Sequence, residues 1–239
     1  MNVCDLSLAS PEENLACDEV LLDLSEEGAS PAVLRFWEPT QYFVVVGYAN
    51  RVASEVDLGF CERHDIPVLR RCTGGGAVVQ GPGCFNFSLV LPMSHSPALA
   101  GIASTNDFIL QRHQHALQSL LQAPVERQGH TDLTVGGLKF SGNSQRRRKS
   151  SVLFHGCFLL HSDIDLIEKL LRFPSKQPDY RLNRSHKDFL INLNVPCQRL
   201  KSALMKLWDA AEPLLDVPLD RVTQLTRSRY QDPGWNFKF

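Results

Sequence analysis

The sequence predicts one α+β domain whose last ~70 residues are mainly helical. Short runs rich in branched and aromatic residues, bounded by Pro and Gly, predict strands. Amphipathic segments with helical periodicity predict helices between and after them. No linker rich in Pro, Gly or Ser divides the chain of 239 residues, so we treat 1–239 as a single domain.

The first helix is predicted over residues 11–24, PEENLACDEVLLDL. Ser10 is a suitable N-cap and Pro11 suits the first helical position. Its apolar face comprises Leu15, Val20, Leu21 and Leu24, and the acids are expected mostly opposite or in the first turn. Helical patterns recur at 52–65, 104–122, 163–172 and 198–215.

Strands are predicted at 32–39, 42–48, 66–71, 85–92 and 152–161. A hairpin is predicted over 132–142, because Gly136 and Gly137 separate two alternating runs. A two-residue loop then pairs Val135 with Leu138, Thr134 with Lys139, Leu133 with Phe140 and Asp132 with Ser141.

The polar face of this hairpin carries Asp132, Thr134, Lys139 and Ser141, and it is either solvated or functional. Lys139 is either a fixed cation for a carboxylate or phosphate, or a nucleophile or base. A neighbouring Asp132 would keep the amine charged, which favours the fixed cation.

The stretch RRCTGGG (70–76) offers a second candidate site. Successive N–H groups of Gly74–Gly76 can form an anion-binding nest beside Arg70 and Arg71. No Lys-Ser/Thr follows at P-loop spacing, and the contiguous glycines do not match the dinucleotide fingerprint. A plain turn therefore remains an alternative.

Seven cysteines, an odd number without a C-x-x-C pair, indicate neither a disulfide framework nor a zinc site. Cys84 and Cys157 are candidate nucleophiles, with core packing as the alternative for both. Strand alternation puts His155 and Cys157 on one face.

The composition argues against two classes of protein, those that bind nucleic acid through bulk charge and those that span a membrane. Hydrophobic residues make up 43% and charged residues 21%, as in ordinary globular proteins. The net charge of −1 argues against nucleic-acid binding by bulk charge, and no apolar run suggests a membrane span. No secretory signal is visible, so we expect a cytoplasmic protein. We also expect a monomer.

Three stretches together resemble the lipoate–protein ligase family, within the biotin/lipoate ligase and octanoyltransferase superfamily. RRCTGGGAVVQGPGCFNFS resembles the family's Arg-Arg-x-Ser-Gly-Gly-Gly-x-Val loop, GHTDLTVGGLKFSGNSQRR its lysine hairpin, and FHGCFLL its His-Gly-Thr-Leu-Leu strand. The resemblance covers nearly the whole chain. It implies the biotin/lipoate ligase catalytic-domain fold, with mixed, mostly antiparallel sheets flanked by helices.

The activity that the resemblance implies has two steps. ATP with Mg²⁺ activates lipoate or octanoate to an acyl-adenylate, and a carrier-protein lysine then takes the acyl group. The implied carrier is a lipoyl domain of the 2-oxoacid dehydrogenase or glycine cleavage complexes. We expect no C-terminal accessory domain of the kind that many bacterial ligases carry, and the resemblance therefore also implies a separate accessory protein as an option.

By matched position, the resemblance makes Lys139 the catalytic cation that holds the carboxylate and then the anhydride. Asp132 would bind the adenylate or its magnesium. The implied substrate- and ATP-binding residues are Arg70, Thr73, Gly74, Gly75, Gly76, Ala77, Asn86, Asp132, Ser141, Gly142, Arg146, His155 and Gly156.

Departures from the family pattern keep alternatives open. Gln80-Gly81 stands where many ligases carry His-Asp, Thr73 replaces a serine, and Cys157 replaces a threonine. One alternative is an octanoyltransferase that uses a cysteine thioester without ATP. Related transferases place that cysteine shortly before the hairpin, where QGHTDL has none, but Cys157 keeps this alternative open. Another alternative is a non-catalytic lipoate-binding homologue.

The run RRRK (146–149) has two interpretations. It is either a solvated loop or a docking surface for an acidic carrier domain.

Overall fold

A large mixed sheet and a three-stranded sheet form the frame of the protein, in a computed structural model that describes residues 1–174 and 176–239. The strands are β1 (Asn2–Asp5), β2 (Val33–Trp37), β3 (Phe43–Val46), β4 (Val68–Arg70), β5 (Val78–Gln80), β6 (Cys84–Pro92), β7 (Glu126–Gln128), β8 (Asp132–Val135), β9 (Leu138–Arg147), β10 (Ser151–Leu159) and β11 (Glu212–Pro213). The large sheet has the order β11-β1-β2-β6-β10-β9-β8-β7, and the small one β4-β3-β5.

Most neighbouring strands run antiparallel, as the resemblance implies. The parallel pairs are β1 with β2, β1 with β11, and β3 with β4. The long central strands β6, β9 and β10 form the middle of the large sheet. The expected α+β class with mixed sheets flanked by helices is confirmed.

The α-helices are α1 (Pro11–Glu26), α2 (Val52–Glu55), α3 (Leu58–Arg63), α4 (Ile102–Leu121), α5 (Ile164–Leu170), α6 (His186–Phe189), α7 (Cys197–Leu207), α8 (Leu219–Leu225) and α9 (Pro233–Asn236). The helix expected at 52–65 is two short helices, and the one expected at 198–215 ends at Leu207. Within the described ranges, no helix is both long and apolar enough to cross a membrane.

Apolar side chains pack on both faces of the large sheet. One face carries α4 and α7, which contribute Ile109, Leu117 and Leu200 to a core with the phenylalanines of β6 and β10. The opposite face carries α1 and α8. A smaller core joins β3–β5 to α2 and α5. The central strands are therefore held rigidly from both sides.

Helix α1 begins as the sequence predicts, with a capping box between Ser10 and Glu13. Glu12 and Glu13 lie in the first turn as expected, but Asp18 and Glu19 are each only 2% exposed. Asp18 pairs with the buried Arg35 of β2, and Glu19 accepts a hydrogen bond from Tyr230. These partners from distant segments compensate the cost of burying the charges.

The hairpin departs from its predicted register through a β-bulge. Val135 faces Leu138 and Thr134 faces Lys139 as predicted, but Leu133 then faces Ser141 and Asp132 faces Gly142. The expected Leu133–Phe140 and Asp132–Ser141 pairs are therefore wrong. The additional residue in β9 is Phe140, which is fully buried in the main core and stacks with Phe158.

The basic run 146–149 is not a solvated loop at its centre. Arg147 donates hydrogen bonds to the carbonyls of Leu99 and Ala100, and Arg148 pairs with Asp23 at 2.7 Å. Arg147 is the last residue of β9, which overturns the loop interpretation for this residue, whereas Arg148 lies in the connection to β10 and is held there by its ion pair.

Candidate active site

A cavity of about 180 Å³ lies between the glycine loop, the hairpin β8–β9 and the middle of β10. Its apolar lining consists of Leu15, Trp37, Val45, Ala77, Val78 and Phe87. Its polar lining includes Asp18, Arg71, Gln80, Asn86, Thr131, Asp132, Lys139, Asn143, Ser144, His155 and Cys157, with glycines 75, 76, 142 and 156 between them. Such a mixed lining suits a ligand with an apolar chain and a charged or polar end.

Lys139 provides the cation at the hairpin side of the cavity. Its Nζ lies 2.8 Å from Oδ1 of Asp132, and both side chains are partly buried. A Cβ on Gly142 would stand 2.9 Å from that Nζ, so the glycine leaves the space that the lysine side chain occupies. Asp132 Oδ2 accepts a hydrogen bond of 2.7 Å from Tyr180. The amine is thereby fixed by an ion pair, in agreement with the fixed-cation interpretation.

The glycine loop is held from within by Arg71. Its guanidinium donates to the carbonyls of Gly74 and Gly76, at 2.6 and 2.9 Å, and to Thr73 Oγ1 at 3.0 Å. Burial lowers the pKa of Arg71 to about 10. Gly75 adopts φ +89, which side chains rarely tolerate. The Arg71 guanidinium therefore fixes the conformation of the loop, and Gly75 and Gly76 form part of the cavity wall.

His155 connects the loop to the buried acid of α1. Its Nε2 lies 2.8 Å from Thr73 Oγ1, and its Nδ1 lies 3.2 Å from Asp18 Oδ2. Burial of Asp18 opposes its ionisation, but Arg35 and the hydrogen bonds from His155 and Ser88 lower the pKa of this carboxyl. Both ring nitrogens of His155 are therefore engaged in holding the wall.

Cys157 lies at the floor of the cavity, opposite Gly142 on one side and Asn86 on the other. It shares the lining with His155, as strand alternation predicts. The hydrogen bond between the two thiols raises the pKa of Cys157 well above its usual range and lowers the pKa of the buried Cys84. The two ring nitrogens of His155 contact Thr73 and Asp18, not the Cys157 thiol. The thiol is thus accessible but not activated by its surroundings.

Gln80 has a defined place at this floor. Its Oε1 accepts a hydrogen bond of 2.9 Å from Asn86 Nδ2, and both side chains line the cavity. The following Gly81 packs against Tyr42, because a Cβ there would come within 2.1 Å of the ring. The departure at Gln80-Gly81 therefore leaves an intact cavity wall.

The structure brings most of the predicted site residues together. Those that line the cavity are Gly75, Gly76, Ala77, Asn86, Asp132, Lys139, Gly142, His155, Gly156 and Cys157. Thr73 and Gly74 support the wall from behind, through His155 and through Ser144, whose Oγ donates to the Gly74 carbonyl at 2.8 Å.

Three predicted residues lie elsewhere. The bulge buries Ser141 in the sheet, and Arg146 packs over the ring of Tyr48. The fully buried Arg70 donates to five backbone carbonyls, those of Gly47, Tyr48, Asn50, Trp235 and Asn236. The guanidinium that lines the cavity is that of Arg71.

Asp18, Trp37 and Tyr180 belong to the site but were missed from the sequence. Each lies in a different segment from the motif stretches. An acid in the middle of an otherwise apolar helix face was the available signal for Asp18.

The described residues offer few preformed ligands for a magnesium ion. Among the residues that the structure describes, no group of three or more His, Cys, Asp or Glu side chains could hold a metal ion. Both oxygens of Asp132 already have partners, Lys139 and Tyr180. Magnesium often binds mainly through substrate phosphates, so the role of Asp132 towards this ion stays a prediction.

Comparison with known proteins defines the class. The lipoyl protein ligase A/B catalytic domain family matches residues 10–206. The chain belongs to this family, as its motifs suggest, and it is an enzyme of the lipoate ligase and octanoyltransferase group.

Full-length relatives include both kinds of enzyme. The octanoyltransferase LipM of Geobacillus kaustophilus is 28% identical, over 98% of this chain and 96% of its own length. The lipoate-protein ligase A subunit 1 of Thermoplasma acidophilum is 26% identical, over 93% and 90%. A crystal structure of lipoate-protein ligase A bound with ATP superposes with a TM-score of 0.81 at 25% identity, covering 99% and 98%.

A bipartite lipoate protein ligase from Thermoplasma acidophilum, solved together with its E2 lipoyl domain, superposes with a TM-score of 0.82 at 22% identity, covering 99% and 95%. This likeness shows the shared fold.

Proposed function

We propose that this chain transfers an octanoyl or lipoyl group to the amine of a lysine on a lipoyl carrier domain. The observation that carries the proposal is the Lys139 ammonium, fixed by Asp132 at the edge of a cavity with an apolar side. The acyl chain would lie along Trp37, Val78 and Phe87. Its carbonyl oxygen would face Lys139.

Lys139 then stabilises the charge that develops during transfer. The carrier lysine amine attacks the acyl carbon, and negative charge accumulates on the carbonyl oxygen in the tetrahedral intermediate. A positioned ammonium in a partly buried site stabilises this charge more than water does. Collapse of the intermediate forms the amide and expels the leaving group.

The named relatives favour octanoyl transfer over the ATP-dependent route expected from the sequence, and this transfer would pass through a cysteine thioester. Several curated relatives, among them the Geobacillus enzyme, are octanoyltransferases. Cys157 is the cysteine that lines the cavity within the described residues. Its thiolate would attack a carrier-bound octanoyl thioester and release the carrier thiol. The acceptor amine would then displace Cys157.

The environment of Cys157 supports an ATP-dependent route as the second candidate. The hydrogen bond with Cys84 raises the pKa of Cys157, and the His155 nitrogens contact Thr73 and Asp18, so the Cys157 thiol has no neighbouring base in contact with it. A similar ligase binds ATP. In this route the acyl carboxylate attacks the α-phosphorus of ATP and releases pyrophosphate. The acceptor amine then displaces AMP.

Two assays on the purified chain distinguish the routes. One measures octanoyl transfer from acyl-carrier protein to a lipoyl domain without ATP, in the wild type and in Cys157→Ser. The other measures lipoate- or octanoate-dependent exchange of labelled pyrophosphate into ATP with Mg²⁺. Transfer that Cys157→Ser abolishes supports the thioester route, and acid-dependent exchange supports the adenylate route.

Lys139→Ala serves both assays, because each route places the acyl carbonyl at this amine. We expect it to lose most activity while folding normally. Absence of activity in both assays, with or without a candidate accessory protein, would overturn the proposed function in favour of a binding protein.

A further inference from the structure

Residues 179–191 lie along the lysine hairpin and contact it at three points. Arg184 Nη2 donates to the Gly137 carbonyl at the turn, at 3.1 Å. The backbone N–H of Ile191 donates to the Lys139 carbonyl at 3.0 Å. The Tyr180 hydroxyl donates to Asp132 Oδ2 at 2.7 Å. The last contact is the one that reaches a side chain of the candidate site.

The two oxygens of Asp132 are divided between two partners. Oδ1 faces the Lys139 amine at 2.8 Å, and Oδ2 faces Tyr180. A carboxylate held at both ends cannot rotate, so the position of the amine is fixed as well. Within the described residues, the ion pair of the Lys139 amine is with this carboxylate, and the Tyr180 hydroxyl orients the carboxylate.

From this arrangement we propose that Tyr180 is a positioning residue for acyl transfer, which acts on Lys139 through Asp132. The inference rests on the proposed function. Tyr180 touches neither the acyl group nor the acceptor amine. It fixes the orientation of Asp132, and Asp132 directs the remaining N–H groups of Lys139 towards the acyl oxygen.

The surroundings of Tyr180 suit this role. Burial and the neighbouring Asp132 raise the pKa of Tyr180 far above its usual range, so the hydroxyl remains a donor. Its ring packs against Phe189, with centroids 5.2 Å apart. Tyr180 Cε1 also lies within van der Waals distance of the position that a Cβ on Gly129 would take. The ring is therefore held independently of the hydroxyl, and Tyr180→Phe removes the hydrogen bond alone.

A double-mutant cycle tests the coupling. Tyr180→Phe, Asp132→Asn and the double variant are assayed for acyl transfer with the wild type. We expect Tyr180→Phe to lower kcat about ten-fold and to leave KM for the acyl donor within about two-fold, as for loss of one hydrogen bond to a charged group. In the Asp132→Asn background it should change kcat by less than about two-fold, because the residue through which it acts is already altered.

Tyr42→Phe is the matched control, since it removes a hydroxyl outside the cavity lining. It should leave kcat unchanged. An equal loss from Tyr180→Phe in both backgrounds would indicate general destabilisation and overturn the inference. No loss in the wild-type background would do the same.

A second measurement does not depend on the proposed function. Acetylation of Lys139 by acetyl N-hydroxysuccinimide ester is followed by mass spectrometry of the digested protein. Tyr180→Phe should raise the labelling rate about three-fold or more, because Asp132 regains rotational freedom and holds the amine less firmly. In the Asp132→Asn background the hydroxyl should make no difference.

If the wild type transfers no acyl group, the proposed function fails, and the labelling cycle still decides the role of Tyr180. Equal labelling of wild type and Tyr180→Phe would overturn it.

Discussion

Gly142 lies directly beside the Lys139 amine: a methyl group on it would stand 2.9 Å from Nζ and 3.0 Å from Cε. The bulge at Phe140 brings Gly142, in place of Ser141, opposite Asp132. The lysine side chain therefore passes over a residue without a side chain to reach its carboxylate. The β-bulge in the hairpin thus allows the Lys139 amine to reach the Asp132 carboxylate.

Gly142→Ala should displace the Lys139 amine from Asp132. We expect acyl transfer to fall about ten-fold or more, because the fixed position of the cation is lost. The thermal midpoint should change little, since the far end of a flexible side chain can move away. Gly59→Ala, on an exposed position of α3, is the control and should retain full activity. Wild-type activity in Gly142→Ala would contradict this account of the site.

Arg71→Lys should loosen the glycine loop. A lysine keeps the charge but cannot reproduce the forked hydrogen bonds to the Gly74 and Gly76 carbonyls. We expect a loss of acyl transfer of about ten-fold, from roughly one charge-assisted hydrogen bond lost. Crystallography of the variant should show a displaced loop at Gly75. An unchanged loop with unchanged kinetics would refute the role of Arg71.

Arg70→Met should lower the stability of the folded protein. It removes the donor to five backbone carbonyls of the segments around Tyr48 and Trp235, in a fully buried place. We expect the free energy of unfolding to fall by about 3 kcal/mol or more, because those carbonyls lose their partner. Urea denaturation measures the change. Arg51→Met, on an exposed side chain, should cost far less.

His113 should make stability depend on pH. It is fully buried, accepts a hydrogen bond from Trp208 Nε1 at 2.9 Å, and burial lowers its pKa from 6.5 to about 3. The unfolded state therefore binds the proton first as pH falls. The contribution of His113 is complete above the unfolded pKa and declines below it by about 1.4 kcal/mol per pH unit until the folded pKa is reached.

Urea denaturation between pH 4 and 7 measures this loss of stability, because most of that interval lies between the folded pKa of about 3 and the unfolded pKa of 6.5. Stability should fall as the pH is lowered. His113→Gln does not titrate and should weaken the dependence on pH by about the same slope. A slope identical to that of the wild type would show that His113 does not titrate as its burial implies.

Local sequence pattern was sufficient to predict the hairpin, the N-terminus of α1 and the proximity of the Lys139 amine to the Asp132 carboxylate. Each depends on neighbours within a few residues: a two-glycine turn, an N-cap and two facing strands. The same reasoning missed the bulge, because the burial of Phe140 against Phe158 is a tertiary effect.

Local sequence pattern did not predict which of the two adjacent arginines lines the cavity. Arg70 is the last residue of β4 and Arg71 follows it directly, yet their guanidinium groups have different partners. Which of them lines the cavity depends on β3 and on residues 235–236. Tyr180 and Asp18 are joined to the site in the same way, by contacts across 48 and 137 positions of sequence.

The contacts of Arg70 also have a consequence for the order of folding. The start of the glycine loop is tied to residues 165 and 166 positions further along the chain. During synthesis those residues leave the ribosome long after the loop does. The cavity wall at Arg71–Gly76 therefore acquires its final support late, and a nascent chain that ends before residue 235 should contain the lysine hairpin without a fully formed glycine loop.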